Sequence, residues 1–280
     1  PAPCIRVTDI RAAMGLLADA AWGHPSGSLG VVGITGTKGK TTTAYFLKSI
    51  LDLWREEQGL HPVGLLSTIV TDDGVQRKPA TLTTPEPLDL QRHLWNAGNA
   101  GCGYVVMECS SQALKYGRMT GVELEAAVFL NLGEDHISPH EHPTLEDYFQ
   151  SKLRIFEHSR RGIVNLDSDR APEILAAAKA SGEVLTYGIN DPKAEILGKN
   201  LSKMDKGVAF TARYAGSWAD FTIPLAGSFN LSNALAALAV CQTLRVPAET
   251  AAKGLARARV PGRMETYSGR GKTVIVDYAH

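Results

Sequence analysis

The segment from Val31 to Thr43 constrains this chain more than any other: a short apolar run, Val31-Val32-Gly33-Ile34, enters the turn Thr35-Gly36-Thr37-Lys38-Gly39-Lys40 and continues into Thr41-Thr42-Thr43. Glycines there let backbone N–H groups approach an anion without a Cβ in the way. A helix opening near Thr41 would add unpaired N–H donors and the positive end of its macrodipole. Such a turn is a phosphate cradle, with Lys40 reaching β/γ-phosphates and the Thr41 hydroxyl facing Mg²⁺. The spacing is a variant, because the standard loop has glycine five residues before Gly39, where this chain has Ile34, with glycines at Gly33 and Gly36 instead. A plain glycine-rich turn in a βα unit is the alternative. The following helix has independent support, since Thr43, Phe46, Leu47 and Ile50 fall at helical spacing.

At 280 residues and 44% hydrophobic content, the chain can bury the core of one large or two ordinary domains. Its 29 Lys and Arg against 29 Asp and Glu leave no net charge, which argues against nucleic acid as a partner. Cys4, Cys102, Cys109 and Cys241 form no paired motif and point to buried thiols in a reducing compartment. No apolar stretch approaches the ~20 residues that span a bilayer, so a cytoplasmic, monomeric protein without membrane contact is expected. Residue 1 is Pro, and residues 273–280 read as a strand cut short, so the chain is expected to be part of a longer one.

Short apolar strands are predicted at 31–34, 64–70, 104–107, 126–130, 162–165 and 184–187, with helices at 9–22, 85–97, 145–157, 171–180 and 231–244. That alternation predicts an α/β fold: a mostly parallel P-loop sheet flanked by helices. Between residues 194 and 223 the pattern turns strand-like, with turn signals at Asp205-Lys206-Gly207 and Ala215-Gly216-Ser217, predicting a small antiparallel β patch. Pro261-Gly262 marks a boundary before the last strands.

In an open parallel sheet ligands bind beyond the carboxyl ends of the strands, and the residues there are polar in this chain. The 104–107 strand leads into Glu108-Cys109-Ser110-Ser111, and the 126–130 strand into Asn131-Leu132-Gly133-Glu134-Asp135-His136. Glu108 beside a P-loop is suited to Mg²⁺, although a carboxylate at a strand end is more often a solvated loop residue. A lone His136 is usually structural; beside Asp135 at a strand end it becomes a candidate near metal. Lys152 shares the apolar stripe of its helix, i+4 from Tyr148 and i−4 from Phe156. A lysine snorkelling over the helix edge is the ordinary reading. Partial burial would instead lower its pKa and yield an amine able to take up CO₂ as a carbamate.

The loop Gly36-Thr37-Lys38-Gly39-Lys40-Thr41-Thr42 resembles that of the Mur ligase family, ATP-dependent enzymes that add amino acids to the peptidoglycan precursor. Glu108-Cys109-Ser110-Ser111-Gln112-Ala113-Leu114 through Arg118, Asn131 to His136, Thr83-Thr84-Pro85 and Tyr148 to Lys152 are similar to segments of its MurE-type members. So are Gly227-Ser228-Phe229-Asn230 through Asn233, Pro261-Gly262-Arg263 and Asp277-Tyr278-Ala279-His280. The resemblance implies ATP and Mg²⁺ as cofactors, with UDP-MurNAc-dipeptide and a diamino acid as substrates. It implies that Thr83, Thr84, Ser110 and Arg118 contact the dipeptide substrate, and that Thr41, Glu108, His136 and a carbamylated Lys152 hold magnesium. Asn233, Arg263 and Asp277 would lie near the nucleotide. Gln112 and Tyr116 depart from the usual pattern, and the stretch from His136 to Lys152 is slightly long. The implied organisation is a remnant of an N-terminal UDP-binding domain at 1–30, the central ATP-binding domain at 31–262 and the start of a C-terminal ligase domain at 263–280. Within the family, cyanophycin- and folate-type ligases are the rival reading; outside it, a regulatory P-loop ATPase.

Overall fold

The chain's structure is a computed structural model that describes residues 4, 6–134, 137–139, 141–204, 207–225, 227, 229–269 and 271–278. Helix α1 (Ile10–Ala21) precedes strand β1 (Gly30–Thr35), which delivers the glycine-rich turn to α2 (Lys40–Glu56). There follow β2 (Gly64–Leu66), β3 (Val70–Asp72), β4 (Arg77–Pro79), α3 (Pro87–Asn99), β5 (Tyr104–Glu108) and α4 (Ser111–Lys115). Next come β6 (Ala126–Phe129), α5 (Leu145–Leu153), β7 (Arg161–Asn165), α6 (Ala171–Ser181) and β8 (Glu183–Gly188). The remainder is β9 (Ile196–Met204), β10 (Gly207–Tyr214), β11 (Ser217–Ile223), α7 (Phe229–Thr243), α8 (Ala248–Ala256), β12 (Glu265–Gly269) and β13 (Lys272–Val276).

Among the described residues, eleven strands form one sheet in the order β11-β10-β9-β8-β7-β6-β1-β5-β2-β3-β4, and β12 pairs with β13 apart from it. From β8 to β2 neighbouring strands run parallel, with β1 between β5 and β6. Side chains alternate between two cores, as a sheet covered on both faces requires. Val32, Ile34, Val106 and Val128 enter the core beneath α2, α7 and α8, while Val31, Val105, Met107 and Phe129 enter the one beneath α3, α5 and α6. α2 is placed by the positions read from its spacing: Thr43, Phe46, Leu47 and Ile50 have no exposure. α7 is apolar nearly all round and buried along most of its length, as a helix with no solvent face must be.

The predicted α/β architecture is present, with two local differences. The strand expected at 64–70 is the hairpin β2–β3. Ser67 makes the turn: its hydroxyl oxygen accepts from the Ile69 and Val70 amides at 3.2 and 3.0 Å, which stops the strand from continuing. The helix expected at 145–157 tightens into a 3₁₀ turn at Arg154–His158. The expected antiparallel patch is present as β9–β11, and because Tyr187 pairs with Ile196 and Gly188 with Leu197 it extends the main sheet. Of the cysteines, Cys4 is exposed and the other three are buried free thiols. No described helix is long and apolar enough to cross a membrane.

Behind the β2–β4 hairpin, Asp73 fastens the turn to α3. Its carboxylate accepts from the Val75 and Gln76 amides at 3.1 and 2.8 Å and from Asn96 Nδ2 at 2.8 Å, with His93 Nδ1 at 2.6 Å. Burial alone would raise this carboxyl, but bonds from Asn96, His93 and Gln76 outweigh it and hold it at about 2. A depressed folded pKa contributes stability that is present above the unfolded value and lost as pH falls through the folded one. Asp73→Ala strands several buried donors, so we expect a loss of about 3 kcal/mol, read as a fall in thermal midpoint of roughly 6–12 °C. The gap between the two proteins should be constant above about pH 4 and narrow toward pH 2.

Candidate active site

β1, β5 and β6 end side by side, and the glycine-rich loop, Thr41, Glu108, Lys152 and the Thr83–Arg118 residues lie at that edge. Gly36 and Gly39 have φ of +150° and +88°, conformations that L side chains rarely adopt. A Cβ on Gly39 would stand 2.2 Å from Asn233 Oδ1, so only glycine lets α7 approach the start of α2 this closely. Asn131, just past β6, cradles the turn: its Oδ1 accepts from the Lys38 amide at 2.9 Å, its Nδ2 donates to the Lys38 carbonyl at 3.0 Å, and its carbonyl accepts from the Thr37 amide at 3.0 Å. Lys40 arches back over the loop, its Nζ donating to the carbonyls of Gly36 at 2.9 Å and Thr37 at 3.2 Å. Thr41 and Thr42 are buried in the first turn of α2.

Glu108 closes the site from β5 and has no exposed surface. Its Oε2 accepts from the hydroxyls of Thr41 at 3.2 Å and Thr68 at 3.1 Å, and its Oε1 from the Thr68 amide at 3.0 Å. Burial pushes this carboxyl up, against the pull of those bonds and of the Lys40 charge. A desolvated carboxylate touching the loop threonine suits a hard cation that would also bind phosphate oxygens. Among the described residues there is no group of three or more His, Cys, Asp or Glu that could hold a metal. The expectation for His136 lies outside the described residues.

Lys152 is 1% exposed, on the buried face of α5 as its spacing requires. Its Nζ donates to the Gly36 carbonyl at 3.0 Å and lies 4.3 Å from the centre of the Tyr148 ring. The Tyr148 hydroxyl is bonded to Thr37 Oγ1 at 3.3 Å, so α5 touches the loop twice. On the other side of Glu108, Thr84 Oγ1 donates to the Glu108 carbonyl at 2.8 Å and accepts from the Ser110 amide at 3.0 Å. Thr83 Oγ1 is 3.2 Å from Thr68 Oγ1. Arg118 is held by the Thr84 carbonyl at 3.2 Å and Glu86 at 2.8 Å, and lines a cleft of about 170 Å³ with Arg11 and Tyr116. Thr83, Thr84, Ser110 and Arg118 thus form one connected rim beside the loop.

Arg263 and Asp277 are bonded at the base of the β12–β13 unit: Asp277 accepts from the Met264 amide at 2.8 Å, and Arg263 donates to the Tyr278 carbonyl. Sequence reading missed Thr68, a turn residue with no motif, and His142. The latter is wholly buried and had a readable signal, since it stands five residues before Asp147 in the first turn of a helix capped by Thr144.

Comparison with known proteins identifies the family. Residues 34–241 match the Mur ligase middle domain. The chain is 41% identical to UDP-N-acetylmuramoyl-L-alanyl-D-glutamate–L-lysine ligase of Streptococcus sanguinis, covering 99% of this chain and 55% of that protein. It is 37% identical to UDP-N-acetylmuramoyl-L-alanyl-D-glutamate–2,6-diaminopimelate ligase of Caldanaerobacter subterraneus subsp. tengcongensis, over 99% of this chain and 56% of that one. The chain therefore spans about half the length of these relatives. A solved UDP-N-acetylmuramoyl-L-alanyl-D-glutamate–2,6-diaminopimelate ligase superposes with a TM-score of 0.76 at 27% identity, over 90% of this chain and 51% of that one. A MurF ligase from Thermotoga maritima solved in complex with ADP shares the fold, with a TM-score of 0.71 at 20% identity, over 97% of this chain and 58% of that one. Given a family match across most of its length and relatives of this identity, the chain belongs to the Mur ligase family.

Proposed function

We propose that this chain is the nucleotide-binding middle portion of an ATP-dependent carboxylate–amine ligase, adding a diamino acid to UDP-N-acetylmuramoyl-L-alanyl-D-glutamate in peptidoglycan precursor synthesis. The observation that carries the reading is the buried Glu108 bonded to Thr41 of the glycine-rich loop, with the Thr83–Arg118 rim alongside. The similarity to both L-lysine and diaminopimelate ligases supports it. The buried free thiols fit a reducing, cytoplasmic setting, and we take the working unit to be a monomer.

In this reading the γ-phosphoryl group of ATP passes to the D-Glu carboxylate, giving an acyl phosphate and ADP. The amine then attacks the acyl carbon, loses a proton, and phosphate departs. Bound Mg²⁺ would neutralise charge on the phosphoryl oxygens. Glu108, Thr41, His136 and carbamylated Lys152 are the residues we assign to hold it. The loop amides and Lys40 bind the β/γ-phosphates and keep two anions together. Thr83, Thr84, Ser110 and Arg118 orient the dipeptide. Asn233 lies against the loop at Gly39 and borders the nucleotide, while Arg263 and Asp277 reach it only once β12–β13 is supported by a larger sheet.

The test completes this chain on both sides with the flanking segments of the Streptococcus sanguinis relative and assays ATP, UDP-MurNAc-L-Ala-D-Glu and either L-lysine or meso-diaminopimelate. We expect tripeptide from the completed chain, at least 10³-fold less from its Lys40→Ala variant, and none from the 280-residue chain alone. Ligation by the isolated chain above a Lys40→Ala control, or parental ATP turnover by Lys40→Ala, would refute the assignment. For Lys152, we expect Lys152→Ala to inactivate the completed chain and short carboxylic acids to restore part of the activity. An intact mass showing a free amine in the active, Mg²⁺-bound protein would rule carbamylation out.

A further inference from the structure

His142 has no exposed surface, and both ring nitrogens are engaged: Nδ1 lies 2.6 Å from Asp147 Oδ2 and Nε2 lies 2.9 Å from Ser111 Oγ. Lys115 Nζ donates to the same Asp147 oxygen at 2.6 Å and to the Glu141 carbonyl at 3.1 Å. Lys115, and after it His142, holds the Asp147 carboxyl below the usual range, so Asp147 is an acceptor only. In the neutral ring the proton therefore sits on Nδ1, and Nε2 accepts from the Ser111 hydroxyl.

Ser111, His142 and Asp147 stand in the order of a nucleophile, a base and an orienting carboxylate, yet the serine is 6% exposed and the histidine not at all. No substrate reaches them, so the linkage is mechanical. It joins three elements: Ser111 opens α4, three residues beyond Glu108; His142 ends the connection after β6; and Asp147 lies in the first turn of α5, five residues before Lys152. The His142 ring also meets Tyr148 edge-on, with centroids 5.1 Å apart, and Tyr148 is itself bonded to the loop at Thr37. A second tie runs parallel to it, Gln112 Nε2 donating to Glu141 Oε1 at 3.1 Å. α5 is short, so a displacement of its first turn carries through to Lys152.

We propose that His142 is a positioning residue: its bonds to Ser111 and Asp147 set α5 against α4 and thereby fix the spacing of Lys152 from Glu108 across the glycine-rich loop. This deepens the reading above and rests on it for the roles of Lys152 and Glu108. Because the bracket needs both nitrogens, losing either half should have the same effect as losing the whole.

The test uses the 280-residue chain and reads Mn²⁺ binding by EPR in the presence of ATP, ATP binding without metal, and the thermal midpoint. Ser111→Ala and His142→Asn both break the Ser111–His142 bond while leaving the Asp147 side occupied and the Lys115–Asp147 pair in place. Each is expected to weaken Mn²⁺ binding about tenfold, with metal-free ATP binding unchanged. The double variant should be no worse than either single one, since one linkage is removed once. Ser111→Thr keeps the hydroxyl and should keep the affinity. Parental Mn²⁺ affinity in both single variants, or losses that add and follow the thermal midpoint, would overturn the proposal. Should His142→Asn not fold, Ser111→Ala against Ser111→Thr decides it alone, equal affinity counting against. Glu108→Gln and Lys40→Ala serve as controls: parental Mn²⁺–ATP binding in these would refute the underlying nucleotide reading, a separate outcome from failure of the bracket alone.

Discussion

A fully buried carboxylate, Glu108, is the constraint around which the rest of the structure is arranged. Removing an ionised group from water costs several kcal/mol unless hydrogen bonds and opposite charge replace what water gave. Two elements supply the replacement. Thr41 and the charge of Lys40 come from the start of α2, and Thr68 from the β2–β3 turn. The balance still leaves the carboxyl raised, so the site is held at a cost in stability that only a ligand would offset.

That cost explains the density of bonding nearby. The loop is tied to the segment after β6 through Asn131, to α7 through the close approach of Gly39 and Asn233, and to α5 through Tyr148 and Lys152. Each tie comes from a different element, so the loop backbone is held from several sides, and in the proposed function its donors are fixed before any anion arrives. Preorganised donors of this kind need no rearrangement during a reaction. The Thr83–Arg118 rim hangs on the same residue, through the bond of the Thr84 hydroxyl to the Glu108 backbone carbonyl.

The sequence made some of this plain and hid the rest for physical reasons. β1, β5, β6 and β7 are buried on both faces, so their continuous apolar runs stand out, and the residues just past them are the polar ones. Glu108, Lys152 and the loop glycines were legible because each breaks a pattern: a carboxylate ending an apolar strand, a lysine on an apolar stripe, glycines where a helix begins. The β2–β3 turn was not, because Ser67 interrupts a strand-like run with a side-chain bond that composition does not announce. His142 escaped although Asp147 lies only five residues on, because Ser111 is 31 residues away and only folding brings it to the other ring nitrogen. Arg263 and Asp277 matched by motif, yet their bonds lie within β12–β13, where β13 is exposed along its length.

The most direct measurement compares the chain with its Glu108→Gln variant in thermal midpoint and in ATP-dependent Mn²⁺ binding. A buried acid whose pKa is raised on folding destabilises the folded state above that acid's unfolded pKa, so neutralising it should raise the midpoint near pH 7. The account predicts that gain together with loss of ATP-dependent Mn²⁺ binding, stability being given up for a ligand site. A lower midpoint with Mn²⁺ binding intact would contradict it, and would make Glu108 a structural acceptor for Thr41 and Thr68.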